Sequence, residues 1–262
     1  MDQNELGLRY RFAQGVVREA GQVALERYRR RESLTIERKG RQDFVSEADK
    51  ACEEFVIGAL LQAFPEDACL GEEGGAQNTG GTATWIIDPI DGTSNFIAGI
   101  PIWCVSLGLV IGGKSVLGII YNPVTDELYT AREGAGAFLN GRRIRVSSAR
   151  KLDEARMGLG FSYRRPVQEH IRAVSACLEA SCEYARLGSG ALGMAFAADG
   201  RFDGYYEAHI NAWDIAAGLV LVTEAGGWCS DFFGGPDAMA KGNFILAATP
   251  GLVSALRALL SH

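Results

Sequence analysis

Residues 85–96 read Trp85-Ile86-Ile87-Asp88-Pro89-Ile90-Asp91-Gly92-Thr93-Ser94-Asn95-Phe96, and the rest of the chain is interpreted around this stretch. Three apolar residues typical of a strand lead into two carboxylates, Asp88 and Asp91, with a proline between them. Such a strand end presents the hard oxygen ligands that Mg²⁺ prefers, and the proline stiffens the turn. Gly92 and Thr93 then begin a short predicted helix whose first amides suit a phosphate. The stretch predicts a metal site beside an anion site, and the alternative is a surface Asp-Pro turn followed by a capped helix.

Two amphipathic helices are predicted before this stretch. Residues 5–30 repeat apolar side chains at three- to five-residue steps, with Arg and Glu on the other face. Ser46 begins the second helix, because a Ser followed three residues later by Asp49 is typical of a capped helix start. Pro65 ends that helix. A position in the first turn would be an adequate explanation of Asp49 until the later motifs are considered. The apolar stripe of the first helix comprises Leu8, Phe12, Val16, Ala20, Val23 and Tyr28.

A polar segment separates the second helix from the central stretch. Residues 68–71 form a short predicted strand that leads to Glu72 and Glu73, and paired glutamates before glycines are usually an exposed turn. Residues 77–84 are polar and glycine-rich, which predicts a flexible surface loop. If this loop returns Glu72 to the vicinity of Asp88, three carboxylates converge. Because such crowding is costly without cations, convergence would itself indicate a metal.

Beyond the central stretch, the apolar period becomes that of strands. Glycine and proline turns separate the strands, and Asn140-Gly141 is a strong signal for a two-residue hairpin. The first half, 1–148, is therefore predicted to be α+β, with helices packed on an antiparallel sheet that carries the metal loop. Its later strands are predicted at 103–111, 115–121, 127–131, 137–139 and 144–146.

Residues 147–156 are polar and mark a boundary, after which predicted strands and helices alternate. Such alternation is typical of an α/β layer. The second half, 149–262, is predicted to be an α/β unit that completes the active site. Its strands are predicted at 157–161, 183–187, 205–207 and 244–248, and its helices at 168–180, 191–198, 213–225 and 252–260.

Composition excludes several classes of protein. The formal net charge of −6 argues against a general binder of nucleic acid or of membrane surfaces, since both would need a basic face. The first 30 residues contain no signal-peptide pattern, and no apolar run approaches membrane length. The six cysteines show no CxxC spacing, so we expect them to be reduced and buried. We expect a cytoplasmic protein with neither a nucleic-acid nor a membrane partner.

A second informative stretch is Asn211-Ala212-Trp213-Asp214-Ile215-Ala216-Ala217-Gly218, which continues to Glu224-Ala225-Gly226-Gly227. Asp214 lies in the first turn of the predicted helix, where a carboxylate favours the helix dipole by roughly 0.3–1 kcal/mol. That contribution to stability is enough to explain the residue. The functional alternative is that Asp214 completes a metal site and that Trp213 forms one of its walls.

Four motifs together resemble the inositol monophosphatase family. Residues 88–96 are similar to its Asp-Pro-Ile-Asp-Gly-Thr-x-Asn-Phe motif, and residues 213–227 to Trp-Asp-x-Ala-Ala-Gly followed by Glu-Ala-Gly-Gly. Gly71-Glu72-Glu73 and Asp43-Phe44-Val45-Ser46-x-x-Asp49 match the remaining two motifs in order. The resemblance spans nearly the whole chain. It implies a layered αβαβα sandwich, usually assembled as a homodimer and often inhibited by Li⁺.

The resemblance also implies a role for each matching position. The first Mg²⁺ would be held by Glu72, Asp88 and the carbonyl of Ile90, and the second by Asp88, Asp91 and Asp214. Glu72 would also help to bind a weaker third ion through water. Thr93, oriented by Asp49, would act with Glu72 on the attacking water, and the amides of Gly92 and Thr93 would hold the phosphate. The sugar-alcohol pocket would be lined by Asp91, Glu207, Asp214, Ser189 and Gly190.

The implied activity is Mg²⁺-dependent hydrolysis of a small phosphorylated polyol, most simply inositol monophosphate. The alternatives are the same chemistry on fructose 1,6-bisphosphate, histidinol phosphate or a 3′-phosphoadenosine nucleotide, and a regulatory binding protein on the same fold. Gly190 stands where the family usually has Ala, and we expect the missing methyl group to loosen one wall of the pocket. The sequence leaves open whether His209 and Asn211 contact substrate, and the role of Lys39 is equally open.

Overall fold

The computed structural model describes residues 1–40, 43–235 and 237–260, without the side chains of residues 33, 38–40 and 43–45. These ranges contain eight α-helices and fifteen β-strands. The helices are α1 Gln3–Arg29, α2 Glu47–Ala63, α3 Thr93–Ala98, α4 Val167–Glu179, α5 Gly190–Ala198, α6 Ala212–Glu224, α7 Ala238–Lys241 and α8 Val253–Leu260. The strands are β1 Ile36–Gly40, β2 Asp43–Ser46, β3 Ala68–Gly71, β4 Gly75–Gln77, β5 Ala83–Asp91, β6 Cys104–Ile111, β7 Lys114–Asn122, β8 Glu127–Arg132, β9 Gly136–Leu139, β10 Arg142–Arg143, β11 Arg156–Leu159, β12 Glu183–Ala185, β13 Gly204–Ile210, β14 Trp228–Cys229 and β15 Asn243–Ala248.

Two large sheets form the frame of the molecule. The eight-stranded sheet has the order β10-β9-β8-β7-β6-β5-β3-β4 and is antiparallel except for its β3–β5 pair. The five-stranded sheet has the order β12-β11-β13-β15-β14. In this second sheet β11 runs parallel to β12 and β13, whereas β15 is antiparallel to β13 and β14.

Three helix layers cover the faces of the sheets. Helices α1 and α2 share a core with the outer face of the eight-stranded sheet, around Trp85 and Leu107. Helices α5 and α6 lie between the two sheets in a core that includes Met194 and Ile215. Helices α4 and α8 pack on the outer face of the five-stranded sheet. The layers therefore follow the order αβαβα, which confirms the predicted sandwich.

Helix α6 lies very close to the eight-stranded sheet because glycines face it. A Cβ at Gly108 would stand 2.7 Å from Cβ of Ala216, and a Cβ at Gly118 would overlap the carbonyl oxygen of Ala217. The small residues of α6 therefore serve close packing, as their sequence suggested. This packing brings the first turn of α6 against β5 and β6.

The largest differences from the predictions in the first half lie on α1 and in the loop before β5. Leu8 and Phe12 are 56% and 38% exposed, and the buried face of α1 is built mainly from alanines, valines and glycines. The predicted apolar stripe, chosen from the larger apolar residues, therefore included two residues from the exposed side of the helix. Within 77–84, Gln77 belongs to β4, which pairs with β3, and β5 already begins at Ala83. After the correctly predicted Asn140-Gly141 turn, the paired residues are Arg142–Arg143 rather than 144–146.

The second half follows the predicted alternation, but its sheet is mixed rather than wholly parallel, because β15 enters antiparallel to β13. The β1–β2 hairpin, β14 and α7 were not predicted, and β14 and α7 are too short to show a period. The division at residue 148 stays a prediction. Among the described residues, no helix combines the length and the apolar character needed to cross a bilayer.

Candidate functional site

A bulge in β5 brings Asp88 and Asp91 to the same face of the sheet. In a regular strand, residues three apart point to opposite faces. Here Asp88 is opposite Ser106 and Asp91 is opposite Cys104, so three steps on β5 match two steps on β6. The extra residue lies at Pro89–Ile90, where the missing proline amide is tolerated. The Asp88 Oδ1 atom accepts a hydrogen bond from the Ile90 amide at 3.0 Å, which stabilises the bulge.

Helix α6 adds the third carboxylate. Asp214 is the third residue of the helix, and its Oδ2 accepts a hydrogen bond from the Asn211 amide at 2.9 Å. This capping role is the structural explanation considered from the sequence, and it leaves the other carboxylate oxygen available. One oxygen each of Asp88, Asp91 and Asp214 lies within 4.8 Å of the other two. The three carboxylates thus converge closely enough to hold a metal ion, and Asp214 also caps α6.

Burial raises the pKa values of all three carboxyl groups, and neighbouring negative charges raise those of Asp88 and Asp214 further. For Asp88 the largest cause is burial, followed by the charges of Glu72, Asp91 and Asp214. Burial also raises the pKa of Asp91, against the hydrogen bonds that it accepts. The pKa of Asp214 rises to about 7 because of burial and of the Asp91 charge. Removing three carboxylates from water without a compensating cation is unfavourable, so the cluster fits a divalent cation.

Glu72 lies beside this cluster because β3 runs parallel to β5. The Glu72 amide donates to the Ile87 carbonyl at 3.2 Å, one residue before Asp88. Glu53, a residue of α2 that the sequence analysis overlooked, holds the following turn. Its buried carboxylate accepts hydrogen bonds from the amides of Glu73 at 2.9 Å and Gly74 at 2.6 Å. A charged residue on the otherwise apolar side of α2 was the signal that could have identified it.

Thr93 and Asp49 meet at the start of α3. The Thr93 Oγ1 atom lies 3.2 Å from Asp49 Oδ1 and 3.0 Å from the Ile90 carbonyl oxygen. The other Asp49 oxygen accepts from the Ser46 amide at 2.8 Å and from the Ser46 hydroxyl at 2.6 Å. Burial raises the pKa of Asp49, while these hydrogen bonds oppose the rise. Asp49 therefore caps α2 and also orients the Thr93 hydroxyl.

Gly92 precedes Thr93 and is the N-cap of α3. Its φ of +97° is left-handed, and a Cβ there would stand 2.9 Å from the Ile102 carbonyl oxygen. Glycine is therefore required at this position. The tight turn places the amides of Gly92 and Thr93 directly after Asp91.

The start of α5 is attached to Asp91. The Ser189 hydroxyl and the Ala191 amide donate to Asp91 Oδ2, the latter at 2.7 Å, and the Gly190 amide donates to Oδ1 at 3.2 Å. These donors stabilise the carboxylate and join the two halves of the chain at the site. The Ser189 hydroxyl and the Gly190 amide are thus committed to Asp91, although both residues also line the neighbouring cavity.

A cavity of about 210 Å³ opens beside the carboxylate cluster and is here called the catalytic cavity. Glu207 is buried in its wall, and its Oε2 accepts a hydrogen bond from the Tyr205 hydroxyl at 2.7 Å. Burial raises the pKa of Glu207 to about 8, and the Tyr205 hydrogen bond opposes this rise. The lining includes the predicted pocket residues Asp91, Asp214, Glu207, Ser189 and Gly190, together with His209, Asn211 and Arg186.

Tyr205 was not identified from the sequence, yet glycines make room for it. A Cβ at Gly158 would stand 2.8 Å from the Tyr205 ring, and a Cβ at Gly193 would overlap it. A Cβ at Gly160 would overlap both the Tyr205 hydroxyl and the Glu207 carboxylate. Gly158, Gly160 and Gly193 lie in different parts of the sequence, and only the fold shows that all three face the same tyrosine.

The expectation of a loosened wall at Gly190 is wrong. A Cβ at this position would stand 2.7 Å from Ile210 Cδ1, so the isoleucine already occupies the space of the missing methyl group. His209 and Asn211 both line the catalytic cavity, and the Asn211 side chain accepts a hydrogen bond from Arg164. The side chains of Lys39 and Asp43 lie outside the described residues.

Comparisons with known proteins identify the family of the chain. The sequence profile of the inositol monophosphatase family matches residues 7–261. Nus factor SuhB of Xylella fastidiosa is 42% identical over 219 residues, covering 83% of this chain and 79% of that protein. Inositol-1-monophosphatase of Rhizobium meliloti is 39% identical over 234 residues, covering 88% of each. The crystal structure of extragenic suppressor protein suhB from Bartonella henselae matches with a TM-score of 0.87 and 35% identity, covering 94% of this chain and 96% of that one. The chain belongs to the inositol monophosphatase family.

Proposed function

We propose that this chain is a Mg²⁺-dependent phosphomonoesterase acting on a small phosphorylated polyol, with inositol monophosphate as the first candidate substrate. The observation that carries the proposal is the convergence of the buried Asp88 and Asp91 with the half-buried Asp214 beside the catalytic cavity. The family is metal-dependent, and one relative is named inositol-1-monophosphatase. An all-oxygen donor set favours Mg²⁺ over softer metals.

In this proposal the described carboxylates divide between two cations. The first would be held by Glu72, Asp88 and the Ile90 carbonyl, and the second by Asp88, Asp91 and Asp214. Glu72 would also help to bind a weaker third ion through water. When bound, Mg²⁺ neutralises the phosphate, makes the attacking water more acidic and stabilises the leaving alkoxide.

The chain's own residues orient the water and the phosphate. Asp49 accepts a hydrogen bond from the Thr93 hydroxyl, which leaves an oxygen lone pair of Thr93 to accept a hydrogen bond from the attacking water. Ser46 anchors Asp49 from the opposite side. Glu72 acts with Thr93 on the same water, and the amides of Gly92 and Thr93 hold the phosphate. No covalent nucleophile is needed for direct in-line attack.

The polyol end of the substrate is assigned to the catalytic cavity. Glu207 uses its Oε2 for Tyr205, so Oε1 is the atom available to a substrate hydroxyl. Asp91, Asp214, Ser189 and Gly190 complete this wall. A cavity of about 210 Å³ suits a small ring, which supports a polyol phosphate over a larger ester.

Phosphate release from a panel of esters tests the proposal. The panel contains inositol 1-phosphate, fructose 1,6-bisphosphate, histidinol phosphate and a 3′-phosphoadenosine nucleotide, each with and without millimolar Mg²⁺. We expect Mg²⁺-dependent release, fastest from inositol 1-phosphate. Fastest release from another ester would retain the reaction and reassign the substrate. If the folded protein released phosphate from none of them, the phosphatase proposal would be wrong.

A second candidate function is a regulatory binding role, because one relative is named Nus factor SuhB. Under that proposal the fold serves a partner rather than a substrate. The Asp88→Asn variant separates the two, and it is tested for whether it replaces the parent chain in cells. If the variant loses hydrolysis and fails to replace the parent chain, the enzyme role is supported. If it loses hydrolysis and still replaces the parent chain, the binding role is supported. Asp153→Asn, in an exposed turn away from the site, is the matched control.

We also propose the cellular compartment and the oligomeric state of the enzyme. All six cysteines are free thiols, which suits a reducing compartment such as the cytoplasm. Assembly as a homodimer is proposed from the resemblance to the family. Sedimentation equilibrium at micromolar concentration tests the assembly, and a monomeric mass would contradict it.

A further inference from the structure

A second cavity lies away from the carboxylate cluster. It measures about 700 Å³ and is formed by α4, α8 and the outer face of β13, β14 and β15; we call it the outer cleft. Cavities that hold small ligands typically measure about 300–1,000 Å³. The outer cleft therefore has the size of a small-molecule site.

Strand β13 separates the two cavities. Tyr205 and Glu207 face the catalytic cavity, and the alternating residues Tyr206 and Ala208 line the outer cleft. His209, near the end of the strand, borders both. A ligand in the outer cleft would therefore occupy the opposite face of the sheet from the proposed substrate.

The floor of the outer cleft is largely apolar. Leu246 and Ala208 contribute aliphatic surface, and Trp228 and Phe244 contribute aromatic surface. Phe244 is 48% exposed, which is unusual for a phenylalanine in a strand that is otherwise largely buried. This floor favours a ligand with an apolar body.

The rim of the outer cleft carries more basic than acidic charge. Arg165 forms a two-bond pair with Glu169, both bonds at 2.8 Å, so these charges offset each other. Arg257 stands over the Trp228 ring at 5.7 Å. Arg172 makes no ion pair in the part of the chain that the structure describes. Asp231 is the remaining acidic group among the described lining residues, whose charges therefore sum to one net positive charge.

Tyr206 lines the outer cleft together with Arg165, Glu169 and Arg172. Burial and Glu169 raise the pKa of Tyr206, while Arg165 and Arg172 lower it. Its hydroxyl adds a neutral hydrogen-bond donor to a lining that is otherwise basic and apolar.

We propose that the outer cleft is a binding site for a small amphipathic anion: a carboxylate, phosphate or sulfonate group on an apolar body. The anionic group lies against Arg172 and the Tyr206 hydroxyl, and the apolar body covers Trp228 and Phe244. A neutral molecule of the same shape lacks the arginine contact, and a cationic one is repelled by it. A compact anion without an apolar body leaves the floor exposed to water.

Fluorescence titration with 8-anilino-1-naphthalenesulfonate tests this site, because the probe joins a sulfonate to an aromatic body. The titration uses the folded full chain with saturating Mg²⁺, and decanoate, decanol and decylammonium then compete with the probe. We expect decanoate to displace the probe at a concentration about ten-fold lower than decanol, since a hydrogen bond to a charged group is roughly worth one such factor. Decylammonium should be weakest. Equal displacement by decanol and decanoate would overturn the proposal.

Two matched variants locate the binding. Arg172→Gln removes the charge of an exposed side chain and keeps it polar, and we expect it to weaken probe binding about ten-fold. Arg142→Gln removes an exposed arginine from β10 in the other sheet and should leave binding unchanged. Both variants should keep the melting temperature of the parent chain. Unchanged binding in Arg172→Gln would place the probe elsewhere and overturn the proposal.

Two further arms distinguish other occupants of the cleft. In the first, vesicles of anionic phospholipid are sedimented with the protein. If the protein binds the vesicles and decanoate does not displace the probe, the cleft binds a membrane surface and the proposal of a small-ligand site is wrong. Probe binding is also measured across a dilution series. If binding appeared only on dissociation into monomers, a second copy of the chain would cover the cleft, and the proposal would be overturned.

Discussion

At the scale of single residues, Asp88 is the side chain that we expect to destabilise the metal-free protein and yet to be needed for activity. Its side chain is 1% exposed, and the neighbouring charges that raise its pKa are all carboxylates. We expect Asp88→Asn to lower Mg²⁺-dependent phosphate release by about a thousand-fold, because a lost cation contact is worth several kcal/mol in the transition state. Turnover of inositol 1-phosphate at saturating Mg²⁺ provides the measurement.

The same substitution should stabilise the metal-free protein. Asparagine keeps the oxygen that accepts from the Ile90 amide but removes a buried negative charge. A gain of about 1 kcal/mol would raise the melting temperature by roughly 2–4 °C for a chain of this size. Thermal unfolding in EDTA measures it. A lower melting temperature would show that the carboxylate cluster is not under the repulsion inferred from its burial.

Tyr205 is a positioning residue for Glu207, and Tyr205→Phe isolates its hydroxyl. The ring remains in its glycine-lined space, so we expect a folded protein. Loss of a hydrogen bond of about 0.5–1.5 kcal/mol should raise KM roughly three- to ten-fold and change kcat little. Tyr206→Phe, on the opposite face of β13, is the control. An unchanged KM, or an equal rise in both variants, would contradict the positioning role.

The pH profile of Tyr205→Phe provides a second measurement. The Tyr205 hydrogen bond lowers the pKa of Glu207, which burial has raised to about 8. Removing this bond therefore raises the pKa further, and Glu207 stays protonated to higher pH. We expect the limb of the KM profile that reports Glu207 to move to higher pH. A purely structural effect would shift KM equally at every pH.

At the scale of elements, the contact between α6 and β7 determines where Asp214 lies. A Cβ at Gly118 would overlap the Ala217 carbonyl, so Gly118→Ala pushes α6 away from the sheet. Overpacking of this kind costs about 1–3 kcal/mol, and we expect the melting temperature to fall by roughly 2–12 °C. The Mg²⁺ concentration for half-maximal activity should rise, since Asp214 moves with the helix.

Gly15→Ala is the matched control for Gly118→Ala. Gly15 lies within α1, and nothing stands within 4 Å of its added Cβ. Alanine is the better helix former by about 0.5–1 kcal/mol, so this variant should be slightly more stable with an unchanged Mg²⁺ requirement. If Gly118→Ala behaved like Gly15→Ala, the tight packing of α6 would not be what positions Asp214.

Local patterns were sufficient for most elements and failed where pairing or short length decides the structure. The Asn140-Gly141 turn and the Ser46–Asp49 capping pair were predictable because neighbouring residues alone specify them. Strand β4 has only three residues and shows no period, and the antiparallel entry of β15 beside β13 depends on residues far apart in the chain. On α1, small residues form the buried face, so a count of large side chains misplaced the stripe.

The central stretch itself predicted a metal site at Asp88 and Asp91, whereas the sharing of that site with Asp214 rested on the family motifs. A regular strand would put Asp88 and Asp91 on opposite faces, and the bulge at Pro89–Ile90 brings them to the same face. The support of the Glu72 turn by Glu53 had no local pattern, because the two residues belong to different elements. The roles assigned to the converging residues stay predictions until the variants are measured.

At the scale of the whole molecule, the buried acids should couple stability to pH and to metal. An acid whose pKa is higher in the folded than in the unfolded state binds more protons when folded. Stability is then greatest below the unfolded pKa and is lost as pH rises through the folded pKa. For Asp214 this window runs from its ordinary value of 3.8 to about 7, and for Glu207 from 4.5 to about 8. The metal-free protein should therefore lose stability as the pH rises from about 5 to about 8, because this pH range lies within the windows of these two groups.

Mg²⁺ should reverse that loss, and more strongly at the higher pH, because protons compete with the cation for the same carboxylates. At one hundred times its dissociation constant, a ligand stabilises the folded state by about 2.7 kcal/mol, or roughly 5–11 °C for a chain of this size. We expect Mg²⁺ at about one hundred times its dissociation constant to give such a shift at about pH 8 and a much smaller one at about pH 5.5. Thermal unfolding in EDTA or Mg²⁺ at matched ionic strength measures both. Asp88→Asn should lose most of the Mg²⁺ shift at pH 8, whereas an equal shift at both pH values would show that the cation binds outside the buried acids.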